Sequence, residues 1–155
     1  MSVVFVIDTS WLVELLRVPG KFDEQKSNQV RTDFQEMIDN GATFILPIAV
    51  LLETGNHIAQ IPDGSHRRDW ANRLWDIVKD SRTKSELFTI EPAVNLPELD
   101  ADIELFATEY AIQSVSLTDT QVIRIAQDWK NKPGYIVHIW TFDQAMKARE
   151  PDTEH

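Results

Sequence analysis

Hydrophobic residues in this chain fall into short continuous runs, separated by longer stretches where apolar positions recur every three or four residues. Residues 2–7, SVVFVI, are almost wholly β-branched or aromatic. A run with no polar alternation predicts a strand covered on both faces. It stops abruptly on Asp8, and a helical pattern over 11–17 follows until Pro19–Gly20 breaks it. A polar helix is predicted over 27–39, with Asn40–Gly41 as its stop signal. TFILP at 43–47 reads as a second strand. The segment 48–61 then places Ile48, Leu51, Leu52, Ile58 and Ala59 on one helical stripe.

Residues 62–65, PDGS, form a turn signal, and 66–80 follows as an amphipathic helix. LFTIE at 87–91 is a third short strand. Beyond Pro92 and Pro97, helices are predicted over 98–111 and 116–129, then a strand over 135–142 and a short helix from Asp143 through Ala148. Residues 1–148 thus read as one domain and 149–155 as a loose tail. Strands alternating with helices predict an α/β domain around a mostly parallel sheet. In such sheets binding sites gather at the C-terminal ends of the strands. Asp8 and Asp143 each stand directly after a predicted strand.

Composition narrows the function classes. The 155 residues are 43% hydrophobic and 26% charged, as in an ordinary globular protein, and long enough to bury a substantial core. With no cysteine, disulfides, thiolate metal ligands and cysteine nucleophiles are excluded together, which suits a reducing, cytoplasmic setting. No apolar stretch approaches the ~18–20 residues of a membrane span, and the N-terminus lacks the basic and cleavage features of a signal peptide. The net charge of −10 speaks against bulk affinity for nucleic acid and fits a protein that holds cations or docks a basic partner.

Four acids then carry the chemistry. Taken singly, Asp8 and Asp143 are explained as helix caps, Asp119 as part of a capping box with Ser116, and Glu53 as a member of a solvated helix face. Taken together, a sheet that brings its strand ends together would gather them in one cleft. Two carboxylates about 4 Å apart repel by about 4 kcal/mol at an effective dielectric of 20. Several such pairs rival the ~5–15 kcal/mol stability of a whole domain. A cluster of this kind persists by protonating some members or by binding cations. All-oxygen ligation selects a hard ion, Mg²⁺ or Mn²⁺, and a carboxylate-held metal with open positions suits phosphodiester hydrolysis by activated water.

The blocks FVIDTSWLVELL, LPIAVLLETGNHI, SLTDTQVIRIAQDW and IWTFDQAM resemble, in order and spacing, the four motif blocks of PIN domains, many of which are ribonuclease toxins of VapBC-type toxin–antitoxin pairs. The resemblance spans residues 2 to about 148. It implies a three-layer α/β/α PIN-like domain whose mostly parallel central sheet has four or five strands. It implies that Asp8, Glu53, Asp119 and Asp143 are acidic ligands of Mg²⁺ or Mn²⁺, with Thr9 or Ser10 and Thr141 as the small hydroxyls beside the first and last acids. The implied activity is metal-dependent cleavage of RNA. The implied partners are an RNA substrate, a small antitoxin that often places a basic side chain in the acidic cleft, and a second copy in a homodimer. Two departures from the family pattern stand out. The chain continues only 12 residues past Asp143, where PIN domains usually add an edge strand, and the helix before LFTIE is longer than expected.

The best local basic stretch is His66, Arg67, Arg68, Arg73, Lys79, Arg82 and Lys84, with Trp70 and Trp75 interleaved. Arg67, Arg68 and Arg73 are candidate RNA contacts. Asp69, Asp76 and Asp80 interrupt the charge, and the tryptophans read as core. His57 is assigned to a helix surface and His138 to a satisfied core position. A Gly-rich phosphate loop and a G-x-S-x-G elbow are both missing, and the D-x-D of haloacid-dehalogenase-type phosphatases is replaced by Asp8–Thr9–Ser10. Two readings survive: a Mg²⁺/Mn²⁺-dependent endoribonuclease, or a catalytically inactive PIN-like scaffold that binds RNA or protein.

Overall fold

Strand β1 (Ser2–Ile7) lies in the interior of the sheet, which is why its sequence shows no polar alternation: Val4, Phe5, Val6 and Ile7 are all buried. The computed structural model describes residues 1–84, 87–91 and 96–154, without the side chains of Lys84 and Leu96. Pro92, Lys84 as a basic side chain and His155 therefore fall outside the described residues.

Asp8 caps α1 (Thr9–Leu16), so this helix begins two residues earlier than its apolar pattern predicts. Helix α2 (Glu24–Asp39) likewise starts early, because the Asp23 carboxylate accepts the Lys26 backbone N–H at 3.0 Å. It ends where predicted, with Gly41 at φ +77°, a conformation that side chains resist. Strand β2 (Thr43–Pro47), α3 (Ile48–Ala59), α4 (Gly64–Lys84), β3 (Thr89–Glu91) and α5 (Leu96–Leu105) follow. Residues 106–111, predicted as the end of one helix over 98–111, instead widen into a π-type segment, Phe106–Tyr110, and enter a 3-10 turn, Ala111–Gln113. Helix α6 (Leu117–Lys130), β4 (Tyr135–Trp140) and α7 (Gln144–Lys147) complete the described chain.

The four strands are all parallel, in the order β3-β2-β1-β4, and helices flank the sheet. Phe5 pairs in register with Phe44 on β2 and His138 on β4. On this face Phe5, Phe44 and Trp140 stack with Trp11 of α1 and Phe34 of α2, with ring centroids 4.0–5.9 Å apart. Alternation along the strands leaves Val4, Val6, Val137 and Ile139 for the other face. Helix α6 packs against β1, β2 and β4 and buries Val122, Ile125 and Ala126.

The outer edge of β4 carries side chains where a fifth strand would pair. Val137 N–H donates to the Asp152 carboxylate at 2.8 Å and Ile139 N–H to Glu150 at 3.0 Å. Val137 C=O accepts the Asp152 N–H at 3.1 Å, and Ile139 C=O accepts Lys147 Nζ at 3.1 Å. Lys130 ties Asp152 from α6, and His138 Nδ1 donates to the Asp152 carbonyl at 2.8 Å. The segment 150–152, expected to be loose, is thus fastened along an edge strand whose unpaired groups would otherwise be a liability.

The chain runs from β1 outward through β2 to β3, then returns across the sheet to place β4 on the far side of β1. The direction of winding reverses between β1 and β4, the point where open parallel sheets form clefts at their carboxyl ends.

Candidate acidic site at the switch point

Asp8 and Asp143 stand at the carboxyl ends of the two strands that flank this reversal. Asp8 N–H donates to Trp140 C=O at 3.0 Å, continuing the β1–β4 ladder by one residue and fixing the acid against the neighbouring strand. The Asp8 side chain is buried; its Oδ1 accepts the Thr9 N–H at 2.8 Å and its Oδ2 accepts the Thr141 hydroxyl at 2.7 Å. Having spent its proton on Asp8, Thr141 Oγ1 acts as acceptor for the Asp143 N–H at 3.0 Å and for the Ser10 hydroxyl at 3.1 Å. Ser10 Oγ in turn accepts the Phe142 N–H at 2.9 Å. These bonds latch the turn after β1 to the turn after β4. Of the three hydroxyl candidates, Ser10 and Thr141 belong to this latch. Thr9 Oγ1 is buried, with no hydrogen-bond partner among the described residues.

Asp143 caps α7, its Oδ1 accepting Ala145 N–H at 2.8 Å, and the residue itself is exposed. Asp119 sits in the first turn of α6, where Ser116 Oγ accepts its backbone N–H at 3.0 Å. Glu53 projects from the middle of α3 and is half-buried. Every one of the four acids except Glu53 is therefore also part of a helix start, so the capping explanations hold for their backbones. They do not dispose of the charges.

Electrostatics couple the four. Burial is the main cause raising Asp8 above the ordinary carboxylate range, partly offset by its bonds from Thr141 and Thr9; the charges of Glu53 and Asp143 raise it further. Asp119 is pushed up to about 6, first by burial and next by the charge of Asp8, with Glu53 and Asp143 adding to it and Ser116 opposing. Among the described residues, no Lys, Arg or His forms an ion pair with any of the four. The cluster thus carries like charge that the described part of the protein leaves uncompensated. Its donor chemistry, carboxylate oxygens with two hydroxyls alongside, suits a hard divalent ion. The oxygens are not, however, gathered for coordination: among the described residues no group of three or more His, Asp or Glu stands in a metal-holding arrangement.

A second network, invisible in the motif pattern, sets the spacing of the helices that carry Glu53 and Asp119. Gln121, two residues after Asp119, accepts the Ala49 N–H of α3 at 2.9 Å and donates to Asp102 of α5 at 3.1 Å. Arg124 forks onto the same buried Asp102 and reaches Asp128 at 2.7 Å. No spacing rule flags Gln121, Asp102 or Arg124, because the network joins three helices that are remote in sequence. Beside it lies a groove of about 330 Å³, walled by Ile48, Leu52, Leu99 and Leu117 and bordered by Glu53 and Thr118.

The basic candidates lie elsewhere. Arg67, Arg68 and Arg73 are exposed on α4. The Arg73 guanidinium lies 4.0 Å from the Trp70 ring centroid, while Trp70 Nε1 donates to Leu16 C=O. None of these arginines is among the charges that shift Asp8 or Asp119. Trp75, read as core, is exposed, because α4 is covered on one side only. Among the described residues no helix is long and apolar enough to cross a membrane. No family model matches this chain, and no curated protein matches it.

Proposed function

We propose that the protein is a Mg²⁺- or Mn²⁺-dependent endoribonuclease that hydrolyses RNA phosphodiester bonds in the cytoplasm. The observation that carries this reading is the set of four carboxylates near the sheet's reversal point, in which the charges of Glu53 and Asp143 raise both Asp8 and Asp119, with no cation of the described residues ion-paired to any of the four. Asp8, Asp119 and Asp143 would hold the ion, and Glu53 would ligate it or orient the attacking water. The bound ion supplies charge neutralisation and lowers the pKa of water toward neutrality. Thr141 fixes the Asp8 carboxylate through its hydroxyl, and Ser10 holds Thr141 and the Phe142 backbone in place. The burial of Asp8 means that its attraction for a cation would be screened less than that of an exposed carboxylate.

Partners follow the same logic. The excess negative charge suits a small protein, such as an antitoxin, that inserts a basic side chain. The apolar groove beside Glu53 offers such a protein, or a second copy in a homodimer, a place to dock. One observation favours the rival reading, an inactive scaffold for RNA or protein: the carboxylate oxygens are not gathered in a metal-holding arrangement among the described residues. Incubation of total RNA with the protein in Mn²⁺, beside its Asp8→Asn variant, separates the two. Metal-dependent cleavage lost in the variant supports the enzyme; binding without cleavage, unchanged by the substitution, supports the scaffold.

A further inference from the structure

A polyanionic strand brought to four carboxylates needs a cation at the rim of the cleft as well as a metal within it. The helices around the sheet decide where one can stand. Because β1 and β2 are parallel and α2 ends four residues before β2 begins, α2 runs back along the sheet from the carboxyl ends of the strands. Its N-terminal turn, held by the Asp23 cap, therefore sits at the same end of the molecule as Asp8 and Asp143. Lys26 is in that turn. Its Nζ lies 5.3 Å from the centroid of the Phe142 ring, and Phe142 is the residue between Thr141 and Asp143, with its backbone fixed by Ser10.

Other cations around these elements are engaged. Arg17 is bound to Ser27, Asn28 and Glu24; Lys147 to Glu150, Glu154 and Ile139 C=O; Arg124 to Asp102 and Asp128. Among the described residues, the Lys26 ammonium forms no ion pair or hydrogen bond and rests only on the aromatic face. Buried Glu14, which accepts the Asp23 N–H at 2.9 Å, feels its charge without reaching it as an ion-pair partner. Like the α4 arginines, Lys26 is not among the charges that shift Asp8 or Asp119, so it stands at the rim, over Phe142, and not within the cleft. A strongly hydrated ammonium held over a ring there keeps its donors available for an incoming anion.

Resting on the nuclease reading, we propose that Lys26 binds a backbone phosphate of single-stranded RNA next to the scissile one, on the Asp143 side of the cleft. This assigns strand positioning to the start of α2, apart from the arginines of α4. The contact is to phosphate and is blind to base identity.

The test uses the full chain and a labelled single-stranded RNA oligonucleotide. Binding is followed by fluorescence anisotropy in Ca²⁺, cleavage in Mn²⁺, both across a salt series. Lys26→Gln is expected to weaken binding about tenfold at low salt and to lower the slope of log affinity against log salt by about 0.7, the value for one phosphate on a single strand. In cleavage KM rises with kcat little changed, and Lys26→Arg restores both. Cleavage by wild type with an unaltered salt slope in Lys26→Gln overturns the phosphate contact and leaves the nuclease reading standing. Lys26-dependent binding without cleavage overturns hydrolysis and leaves the contact standing. Neither binding nor cleavage overturns both. An unchanged urea midpoint for Lys26→Gln confirms that the fold is intact.

Discussion

If the carboxylate cluster is uncompensated, removing one charge should stabilise the metal-free protein, the reverse of what most substitutions at a buried polar position do. Asp119 is the most informative place to cut. Its carboxyl is raised from 3.8 to about 6, a change of about 2.2. At 1.36 kcal/mol per pH unit, that sets a ceiling of about 3 kcal/mol for the cost of holding it ionised at neutral pH. The residue is half-buried, so solvent screening cuts this to about 1–2 kcal/mol. Asp119→Asn retains the backbone bond to Ser116, so α6 keeps its cap. The sign follows from linkage: a carboxyl whose folded pKa lies above its unfolded one binds more protons when folded, so stability falls as pH rises from about 4 to 6. In EDTA at pH 7.5, urea denaturation should show Asp119→Asn more stable than wild type by about 1–2 kcal/mol. The advantage should shrink at pH 5, where wild-type Asp119 is mostly protonated. Saturating Mn²⁺ should reverse the order, since an ion at 100 times its dissociation constant stabilises the native state by about 2.7 kcal/mol. A variant less stable than wild type in EDTA, or a gap that widens on acidification, would refute the reasoning.

Further expectations test the supports around the site. Thr141→Val removes the hydroxyl that bonds Asp8 and receives Asp143 N–H; it should cost about 1–3 kcal/mol in urea denaturation and weaken the Mn²⁺-induced thermal shift. An unchanged metal shift would mean that Asp8 does not depend on this latch. Arg124→Met leaves Asp102 buried without its guanidinium and should lower stability by about 3–5 kcal/mol, whereas Asp102→Leu with Arg124→Met together should recover most of that loss, as a double-mutant cycle would read. Truncation after Arg149 strips Glu150 and Asp152 from the edge of β4 and should promote aggregation at micromolar concentration, measured by light scattering against the full chain.

Regular elements were legible in the sequence where their cause is local. The continuous apolar run of β1 announced a strand buried on both faces, and Asn40–Gly41 marked the end of α2 because a left-handed residue is needed there. Helix starts at Thr9 and Glu24 were missed, since the caps at Asp8 and Asp23 act before any apolar periodicity begins. The change of winding at Phe106 has no signal in a pattern that remains amphipathic through Tyr110. Trp75 was misplaced for a similar reason: periodicity reports which side chains share a face, and only packing tells how much of that face is covered.

What the amino-acid order determined by itself was the alternation of strands and helices, Asp8 directly after a strand, and the other acids in or at the start of helices; the predicted strand over 135–142 stops at Trp140, so Asp143 follows it only after Thr141 and Phe142. Those features depend on neighbours within a few residues. Only the folded chain decided that β4 would cross to the far side of β1, because strand order is settled by competition among surfaces distant in sequence. That crossing brings Asp143 beside Asp8, lets Thr141 and Ser10 join their turns, and turns four separately explicable acids into one electrostatically coupled group. The Gln121–Asp102–Arg124 network and the fastening of 150–152 to β4 belong to the same class, since a buried hydrogen bond needs a partner within about 3 Å and sequence carries no such distance.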